Sequence, residues 1–575
     1  MENWEVAAAL ERMAGLLALK GEDSFKIRAY SQAARQIVRL SEPLAQIIAE
    51  DRLEQIPGIG KALSSKIKEL VATGQSSFLA RLEKEVPPEL LTLFSIPGVG
   101  FRTAGKLVQE LKLENLAQLE EAARQGKVAE LPGLGKALQD KVLHFFAHRA
   151  AEPERFHRGV ALPLAEQLHS FLLQLPFVLC CSPAGEVRRG TETVAEVVVV
   201  AALDEQAREH LAEQLRKLPG VGSLEPAPGG FKLATLVGLP ARVVLCSAEE
   251  YPTRLAELTA SAAHWEQLQA YAAGRGFQLS GDALLKEGRR VPLKEEGELY
   301  RALGLPFIPP ELREGSAELE RAAAGKLPRL VELSQIRGDL HLHSSWSDGN
   351  ASLEEMHAAA GRMGYEYIAI TDHSPSLKIA GGLSLEQLAR QVQQVKELRR
   401  AGGCYIFTGV EVDIHADGSL DLPDEILGEL DVVIASVHSN FRQGREEMTA
   451  RICRAMEHPA VQIIGHPTGR LIGSRGGYEV DVERLIDKAA DTGTILEINA
   501  SPLRLDLSEK YHRLARRKGV PLLVNTDAHS TATMQDMVYG VTAARRGWLE
   551  AEDILNTLPL ERIREALSWK RRLRG

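Results

Sequence analysis

The chain from residue 337 onward carries a set of side chains that together could hold metal ions. His341 and His343 are two residues apart, which places both on the same side of a strand, and Asp527 and His529 repeat that spacing. Mixed imidazole and carboxylate donors without a thiolate suit zinc, manganese or iron(II), whereas calcium prefers oxygen ligands alone. A single histidine is more often structural, but the joint pattern indicates a metal centre. Its candidate ligands are His341, His343, Asp348, His373, Glu411, His438, His466, Asp527 and His529.

Short apolar runs must position these donors, and amphipathic stretches such as 384–403 lie between the runs. Alternating strand and helix patterns predict a parallel sheet, and ligands at the carboxyl ends of the strands predict a barrel like the (β/α)8 type. Adjacent metal ions bridged by a carboxylate can clamp a phosphodiester and generate hydroxide at neutral pH. The predicted strands lie within 337–349, 365–374, 405–413, 431–439, 461–470, 494–501 and 521–530.

The order HxH, D, TDH, E, VHS, GHP, DAH resembles the polymerase-and-histidinol-phosphatase (PHP) domain. The resemblance implies a distorted (β/α)7 barrel with two or three divalent metals, which would be zinc, manganese or iron. It implies one metal on His341, His343, Glu411 and Asp527, and a second on Asp348, His373 and His529. A third would use His438 and His466, with Glu411 bridging, and Arg470 is a candidate phosphate contact.

A second pattern, Pro-Gly-x-Gly followed by a helical stretch, occurs three times, at 56–67, 96–107 and 131–142. The glycines permit a tight turn into a helix, and the amides at that helix start suit a phosphate. The pattern resembles the helix-hairpin-helix motif, which grips the DNA backbone without reading sequence; three plain helix connections are the alternative. The residues concerned are Gly58, Gly60, Lys61, Gly98, Gly100, Arg102, Gly133, Gly135 and Lys136.

The segment GEDSFKIRAYSQAARQI, residues 21–37, resembles the N-terminal domain of family X DNA polymerases, the polymerase-beta-like repair enzymes. In that domain a lysine can act as a Schiff-base nucleophile on abasic sugars, and Lys66 falls at the matching position. A solvated helix lysine that touches phosphate is the interpretation we favour.

The stretch 184–203 resembles the family's palm strand, but its metal positions are changed. The palm needs a Gly-Ser loop and two arginines for the triphosphate, and three aspartates for two Mg²⁺ ions. A carboxylate in the loop repels the triphosphate, and valine and proline cannot bind metal. We therefore predict a folded palm that binds DNA without polymerising, with Mg²⁺ needed only if it is active. The loop serine is Glu186, the arginines are Arg188 and Arg189, and the aspartate positions are Glu196, Val198 and Pro240.

The whole chain resembles family X polymerases fused to a PHP domain, the bacterial and archaeal PolX layout. The resemblance divides it into a lyase-like helical domain (1–85), a fingers-like helix-hairpin-helix domain (86–150), an α+β nucleotidyltransferase-like palm and thumb (151–315), a linker (316–336) and the PHP domain (337–575). It implies a metal-dependent 3′–5′ exonuclease, with abasic-site endonuclease activity also known in the family. The alternatives are an active gap-filling polymerase, a DNA-binding scaffold with a structural metal cluster, and a phosphatase of small esters.

The composition of this 575-residue chain limits how it can contact DNA and where in the cell we expect it. Its net charge of −9 gives no global basic field, so DNA contacts must be local. Five cysteines without a CxxC pair argue for a reducing cytoplasm, and no apolar run is long enough to span a membrane. We expect a cytoplasmic monomer that acts on gapped, nicked or single-stranded 3′ ends of DNA.

Overall fold

The computed structural model describes residues 1, 3–38, 40, 42–96, 99–148, 154–218, 220–473 and 475–572. The chain forms two compact units. The first contains residues 1–187, 193–258 and 279–296, and the second contains residues 188–192, 259–278 and 297–575. The five-part division drawn from the sequence stays a prediction.

Helices build the start of the first unit. The first helix is apolar over most of its surface, and Val6, Leu10, Met13 and Leu17 are fully buried. It is the central helix of this region, and Gly105 lies against it. The helices are α1 (Asn3–Leu19), α2 (Ser24–Val38), α3 (Leu44–Ala49), α4 (Lys61–Thr73), α5 (Ser77–Glu85), α6 (Phe101–Leu111), α7 (Leu116–Arg124), α8 (Lys127–Glu130) and α9 (Gly135–His148).

A five-stranded sheet follows in the first unit, with strand order β2-β4-β7-β6-β5. Only the β4–β7 pair in this sheet is parallel. Its strands are β2 (Val178–Ala184), β4 (Val197–Leu203), β5 (Val221–Ala227), β6 (Gly230–Thr235) and β7 (Ala241–Cys246), whereas β1 (Phe156–His157) and β3 (Thr193–Val194) form a separate two-stranded sheet. The helices are α10 (Arg158–Leu173), α11 (Gly185–Arg189), α12 (Arg208–Leu215) and α13 (Tyr251–Thr259). Every residue of β4 is buried, which agrees with its continuous apolar sequence.

The next elements are short. They are α14 (Ala262–Ala273), β8 (Phe277–Leu279), β9 (Leu284–Lys286), β10 (Arg289–Arg290), α15 (Glu296–Ala302) and α16 (Glu318–Ala323). Within the second unit, buried His264 lies 2.7 Å from Glu318 and joins α14 to α16.

The rest of the second unit is a parallel barrel. Its strands are β11 (Gly338–Leu342), β12 (Tyr367–Ile370), β13 (Tyr405–Asp413), β14 (Val432–Ser436), β15 (Ile463–Ile464), β16 (Ile495–Asn499) and β17 (Leu522–Asn525), paired in chain order. A bridge between Leu342 and Ala528 brings the last strand back beside the first. The barrel is therefore nearly closed with seven strands, as the PHP resemblance implied, and falls one short of the (β/α)8 type.

Helices between the strands and after the last strand cover the barrel. They are α17 (Leu353–Arg362), α18 (Leu385–Ala401), α19 (Asp424–Glu429), α20 (Arg445–Glu457), α21 (Val482–Thr492), α22 (Glu509–Arg517), α23 (Met537–Arg546) and α24 (Leu560–Arg572). Ser352 and Ser384 cap α17 and α18 with reciprocal hydrogen bonds, which fixes where these helices start. In the parts of the chain that the structure describes, we find no helix with the length and apolarity to cross a membrane.

Candidate metal centre

The carboxyl ends of the barrel strands carry the candidate ligands. His341 lies within β11 and His343 follows it, so the two side chains point the same way into the barrel mouth. The loops just after β12, β14, β15 and β17 contribute the next donors, whereas Glu411 lies within β13, two residues before its end. All of these donors except Asp348, His438, Asp527 and His529 are buried to 6% exposure or less.

Three groups of donors lie close enough together to hold a metal ion, with ligand atoms within 4.8 Å of one another. The first is His343, Asp348, His373 and His529; the second is His341, His343 and Asp527; the third is His373, Glu411 and His438. These groups gather eight of the nine predicted ligands, and His466 lies beside the third, with its Nε2 3.0 Å from Glu411 Oε1. The finer assignment of ligands to three metals stays a prediction.

Glu411 lies at the centre of the cluster. Its Oε2 is 2.9 Å from Nδ1 of His373 and 3.5 Å from Nε2 of His341. Its Oε1 is 3.4 Å from Nε2 of His438. Both carboxylate oxygens therefore face imidazole nitrogens, which is the arrangement that a bridging ligand requires.

Several of these donor atoms fit a metal because their close contacts do not have the geometry of hydrogen bonds. Nε2 of His341, Nε2 of His343 and Oε2 of Glu411 are buried and have no hydrogen-bond partner among the residues that the structure describes. Leaving buried polar atoms unpaired costs about 1–3 kcal/mol each. Metal coordination would remove that cost, since the atoms converge on shared space.

The pKa shifts of Glu411 and His343 suit metal ligation, whereas, despite burial, neighbouring carboxylates raise the pKa of His341, and that of His438 to about 9, so metal binding there would release protons. Burial alone would raise the pKa of Glu411, but His438, His341 and His373 hold that pKa well below its usual value. Burial, followed by the neighbouring His529 and His373, lowers the pKa of His343 to about 3. An ionised carboxylate and a neutral imidazole are the forms that bind metal.

Two buried carboxylates that the sequence did not single out orient the ligands. Oε1 of Glu497 is 2.6 Å from Nδ1 of His341, and Oε2 accepts the backbone N–H of His466 at 2.7 Å. Asp413 lies 2.5 Å from Nδ1 of His438. Carboxylates of this kind fix the ring orientation of metal-binding histidines. The available signal was an acidic residue in the strand runs 494–501 and 405–413.

Two ligand candidates have strained backbones. Asp527 has φ +56° and His466 has φ +27°, both in the left-handed region that non-glycine residues rarely adopt. Such strain costs about 1–3 kcal/mol per residue and concentrates at functional sites.

Arg470, the candidate phosphate contact, is engaged elsewhere in the second unit. Its guanidinium lies 2.6 Å from Glu192 and donates to the carbonyl oxygen of Arg504 at 2.8 Å. Arg504 instead reaches the cluster, with Nε 3.5 Å from Oδ2 of Asp527. No sequence pattern singled out Arg504, although it follows the predicted strand 494–501 closely.

The predicted helix-hairpin-helix turns lead directly into helices of the first unit. Gly60 and Gly100 precede α4 and α6, and Gly135 is the first residue of α9. Gly58, Gly133 and Gly135 have φ of +88°, +78° and +67°, which favours glycine there. Gly98 lies outside the described residues. Lys61, Arg102 and Lys136, each near a helix start, are solvent-exposed.

Lys66 lies on α4 in the first unit. Its Nζ donates to the carbonyl oxygen of Ala62 at 3.0 Å and lies 4.8 Å from the centre of the Phe78 ring. The role of Lys66 stays a prediction.

The changed palm positions have structural partners in the first unit. Glu186 lies 2.6 Å from Arg155 and accepts the backbone N–H of Ala195, and Glu196 pairs with Arg242 at 3.1 Å. Val198 is buried in an apolar cluster, and the carbonyl of Pro240 accepts the N–H of Val197.

The two palm arginines have partners in the second unit. Arg188 donates to Thr259 at 2.8 Å, and Arg189 pairs with Glu314 at 3.0 Å. Among the described residues, the donor groups that could hold a metal all lie in the barrel.

Four families match successive parts of the chain. They are a helix-hairpin-helix domain over 1–76, a SAM-like helix-hairpin-helix tandem over 89–144, the DNA polymerase beta thumb over 254–314 and the PHP domain over 339–501.

Curated relatives match either the whole chain or its last part. "DNA polymerase/3′-5′ exonuclease PolX" of Bacillus subtilis (strain 168) is 39% identical over 570 residues, which cover 98% of this chain and 99% of that protein. A protein named "Probable phosphatase" from Thermoanaerobacter sp. (strain X514) is 30% identical over 253 residues, 41% of this chain and 96% of that protein. The chain therefore belongs to the PolX family, whose members join family X polymerase domains to a C-terminal PHP domain.

Proposed function

We propose that this protein is a metal-dependent phosphodiesterase that removes nucleotides from 3′ ends of DNA through its PHP barrel. The observation that carries the proposal is the convergence of donor groups on Glu411 at the barrel mouth. The Bacillus subtilis relative is named as a DNA polymerase and 3′-5′ exonuclease, and the relative that matches the last part of the chain is named a probable phosphatase.

The donor set supports zinc or manganese, with iron(II) as the further candidate, because it mixes imidazole and carboxylate groups. Two or three such ions would be held by the three donor groups, one of which contains Glu411. When bound, they would polarise a phosphodiester and activate water. We assign binding of the phosphate charge to Arg504, which lies beside Asp527; the same role for Arg470, which pairs with Glu192, stays a prediction.

DNA is the substrate class that the first unit favours over a small phosphate ester. Glycine turns at helix starts expose backbone amides, and Lys61, Arg102 and Lys136 add positive charge beside them. Contacts of this kind hold a phosphate backbone without reading bases. We therefore expect action on gapped, nicked or single-stranded 3′ ends.

The palm, by our proposal, binds DNA without polymerising. Glu196 is the one carboxylate left at the three metal positions, and it is paired with Arg242. The apolar surroundings of Val198 offer no ligand, and Glu186 places a negative charge in the triphosphate loop. An active gap-filling polymerase is the second candidate, favoured by the name of the Bacillus subtilis relative.

The proposal is tested with 5′-labelled single-stranded DNA and Mn²⁺, beside p-nitrophenyl phosphate as a small ester. We expect the protein to shorten the DNA, and a His341→Ala/His343→Ala variant to lose that activity while keeping DNA affinity. Release of nitrophenol without DNA shortening would instead identify a small-ester phosphatase. Loss of neither activity in the variant would place the chemistry elsewhere.

A further inference from the structure

An aromatic and cationic cluster lies beside the metal centre. The rings of Phe441 and Tyr478 have centroids 6.3 Å apart and planes inclined by 8°. The guanidinium carbon of Arg475 lies 4.4 Å from the centroid of the Phe441 ring. We call Phe441, Arg475 and Tyr478 the stacking cluster; nothing in the proposed mechanism yet uses it.

The stacking cluster is attached to the segments that carry two ligand candidates. Phe441 follows His438 by three residues. The Tyr478 hydroxyl donates to the carbonyl of Pro467 at 2.9 Å, next to His466. Because His438 and His466 both face Oε1 of Glu411, the cluster lies on their side of the barrel mouth.

The cluster is held rigidly. Tyr478 is buried, and its backbone N–H donates to Thr468 at 3.0 Å. Gly469 has φ +60°, and a Cβ there would lie 2.3 Å from the Tyr478 ring, so glycine allows the close packing. Arg475 donates to the carbonyl of Gly469 at 2.9 Å. A ligand that uses this surface would find it already formed.

The cluster presents a positive and partly apolar surface to solvent. Arg475 is exposed and Phe441 is half-buried. Burial of part of its side chain and, after it, the positive charge of Arg504 lower the pKa of Arg475. No carboxylate pairs with Arg475 among the residues that the structure describes, so an anionic ligand with a flat apolar part suits the surface.

We propose that the stacking cluster holds an unpaired base flanking the phosphodiester that the metal centre hydrolyses. This inference rests on the proposed function and names its substrate as a single strand. Bases of unpaired nucleotides stack on aromatic rings and on guanidinium planes, whereas a base inside a duplex is covered by its neighbours. A small phosphate ester without a base would gain nothing from the cluster.

Kinetics on modified oligonucleotides tests the assignment. Full-length protein with Mn²⁺ is given single-stranded 5′-labelled DNA with a natural 3′ end, or with a tetrahydrofuran abasic residue at the last or the penultimate position. We expect KM to rise about tenfold for one of the two abasic substrates, within the range of a lost base stack, with kcat nearly unchanged.

Arg475→Lys keeps the charge but removes the guanidinium plane, and Phe441→Leu keeps apolar volume without the ring. Both should raise KM for natural DNA to the abasic value and leave KM for abasic DNA unchanged. Arg442→Lys, in an exposed neighbour of Phe441, is the matched control and should behave as wild type. Equal KM values for natural and abasic DNA in the wild type, or a parallel rise for both substrates in Arg475→Lys, would overturn the inference.

Photo-crosslinking separates this inference from the proposed function because it needs no hydrolysis. With chelator present, 5-iodouracil at the last or penultimate position should crosslink to Phe441, as located by mass spectrometry. Crosslinks found only in residues 1–148 would overturn the stacking cluster even if the DNA is shortened. If wild-type protein shortens no DNA, the proposed function fails, and the crosslink still decides whether the cluster binds bases.

Discussion

At the residue scale, Glu411 organises the centre through both carboxylate oxygens. Oε1 faces His438 and His466, and Oε2 faces His373 and His341. Burying a carboxylate is unfavourable in free energy unless it is paired, and the four imidazole rings around Glu411 supply that pairing. Glu497 and Asp413 contact Nδ1 of His341 and Nδ1 of His438, the ring nitrogens that face away from Glu411.

Glu497→Gln tests the positioning role of that outer carboxylate. The amide keeps the shape of the side chain but weakens the hydrogen bond to Nδ1 of His341. We therefore expect the metal affinity or the rate of DNA hydrolysis to fall by about 10- to 100-fold. Metal analysis after dialysis, together with initial rates, measures the effect. Glu446→Gln, in an exposed glutamate on α20, is the control. Unchanged metal affinity in Glu497→Gln would contradict the positioning role.

The ligands themselves could be predicted from the sequence because their spacing is local. His341 and His343 have the spacing of one face of a strand, and Asp527 and His529 repeat that spacing, although both lie after the end of β17. Glu497 could not be found this way, since it reaches His341 across 156 positions of the chain. The ion pair between Arg470 and Glu192 could not be predicted either, because the two residues are 278 positions apart in the chain.

At the element scale, short apolar runs predicted the barrel strands correctly, but close contacts between helices could not be predicted from the sequence. All seven predicted strand segments contain a strand, because buried parallel strands are continuously apolar and their ends are polar. By contrast, Gly105 in α6 carries no sequence signal beyond a glycine in a helix. A Cβ there would lie 2.4 Å from the carbonyl oxygen of Ala18, so the contact between α1 and α6 depends on it.

Gly105→Ala should therefore loosen the helical region. Overpacking a close contact costs about 1–3 kcal/mol, because the backbone of α1 cannot give way as a flexible side chain would. Hydrogen exchange followed by mass spectrometry should show faster exchange in peptides of α1 and α6.

The matched control is Gly361→Ala in α17. A Cβ there meets nothing within 4 Å, so alanine should slow exchange in α17 by stabilising the helix by about 0.5–1 kcal/mol. Equal effects of the two substitutions on their own helices would contradict the packing argument.

At the scale of the whole molecule, two compact units carry separate parts of the proposed activity. The first holds the glycine turns and their basic residues, and the second holds the metal centre. This division could be foreseen from repeated motifs and ligand spacing. The assignment of residues 188–192 to the second unit could not, because it depends on distant partners such as Arg470 and Ser508.

Replacing Lys61, Arg102 and Lys136 with glutamine in one variant should weaken DNA binding and leave the metal content of the barrel at its wild-type level. Each lost phosphate contact lowers the salt slope of duplex binding by about 0.9, because one fewer counterion is released. Anisotropy titrations on gapped DNA at several salt concentrations measure that slope. Lys84→Gln, outside the turns, should leave it unchanged, and an unaltered slope in the triple variant would argue against the turns as the DNA contact.

The most direct test of where the chemistry lies is the length of a 5′-labelled primer on gapped DNA with Mn²⁺ and all four dNTPs. We predict that the wild-type protein shortens the primer and that His341→Ala/His343→Ala leaves its length unchanged, since the palm lacks its metal carboxylates. The account would be contradicted if the wild type or the variant lengthened the primer and still did so after Glu196→Ala was added.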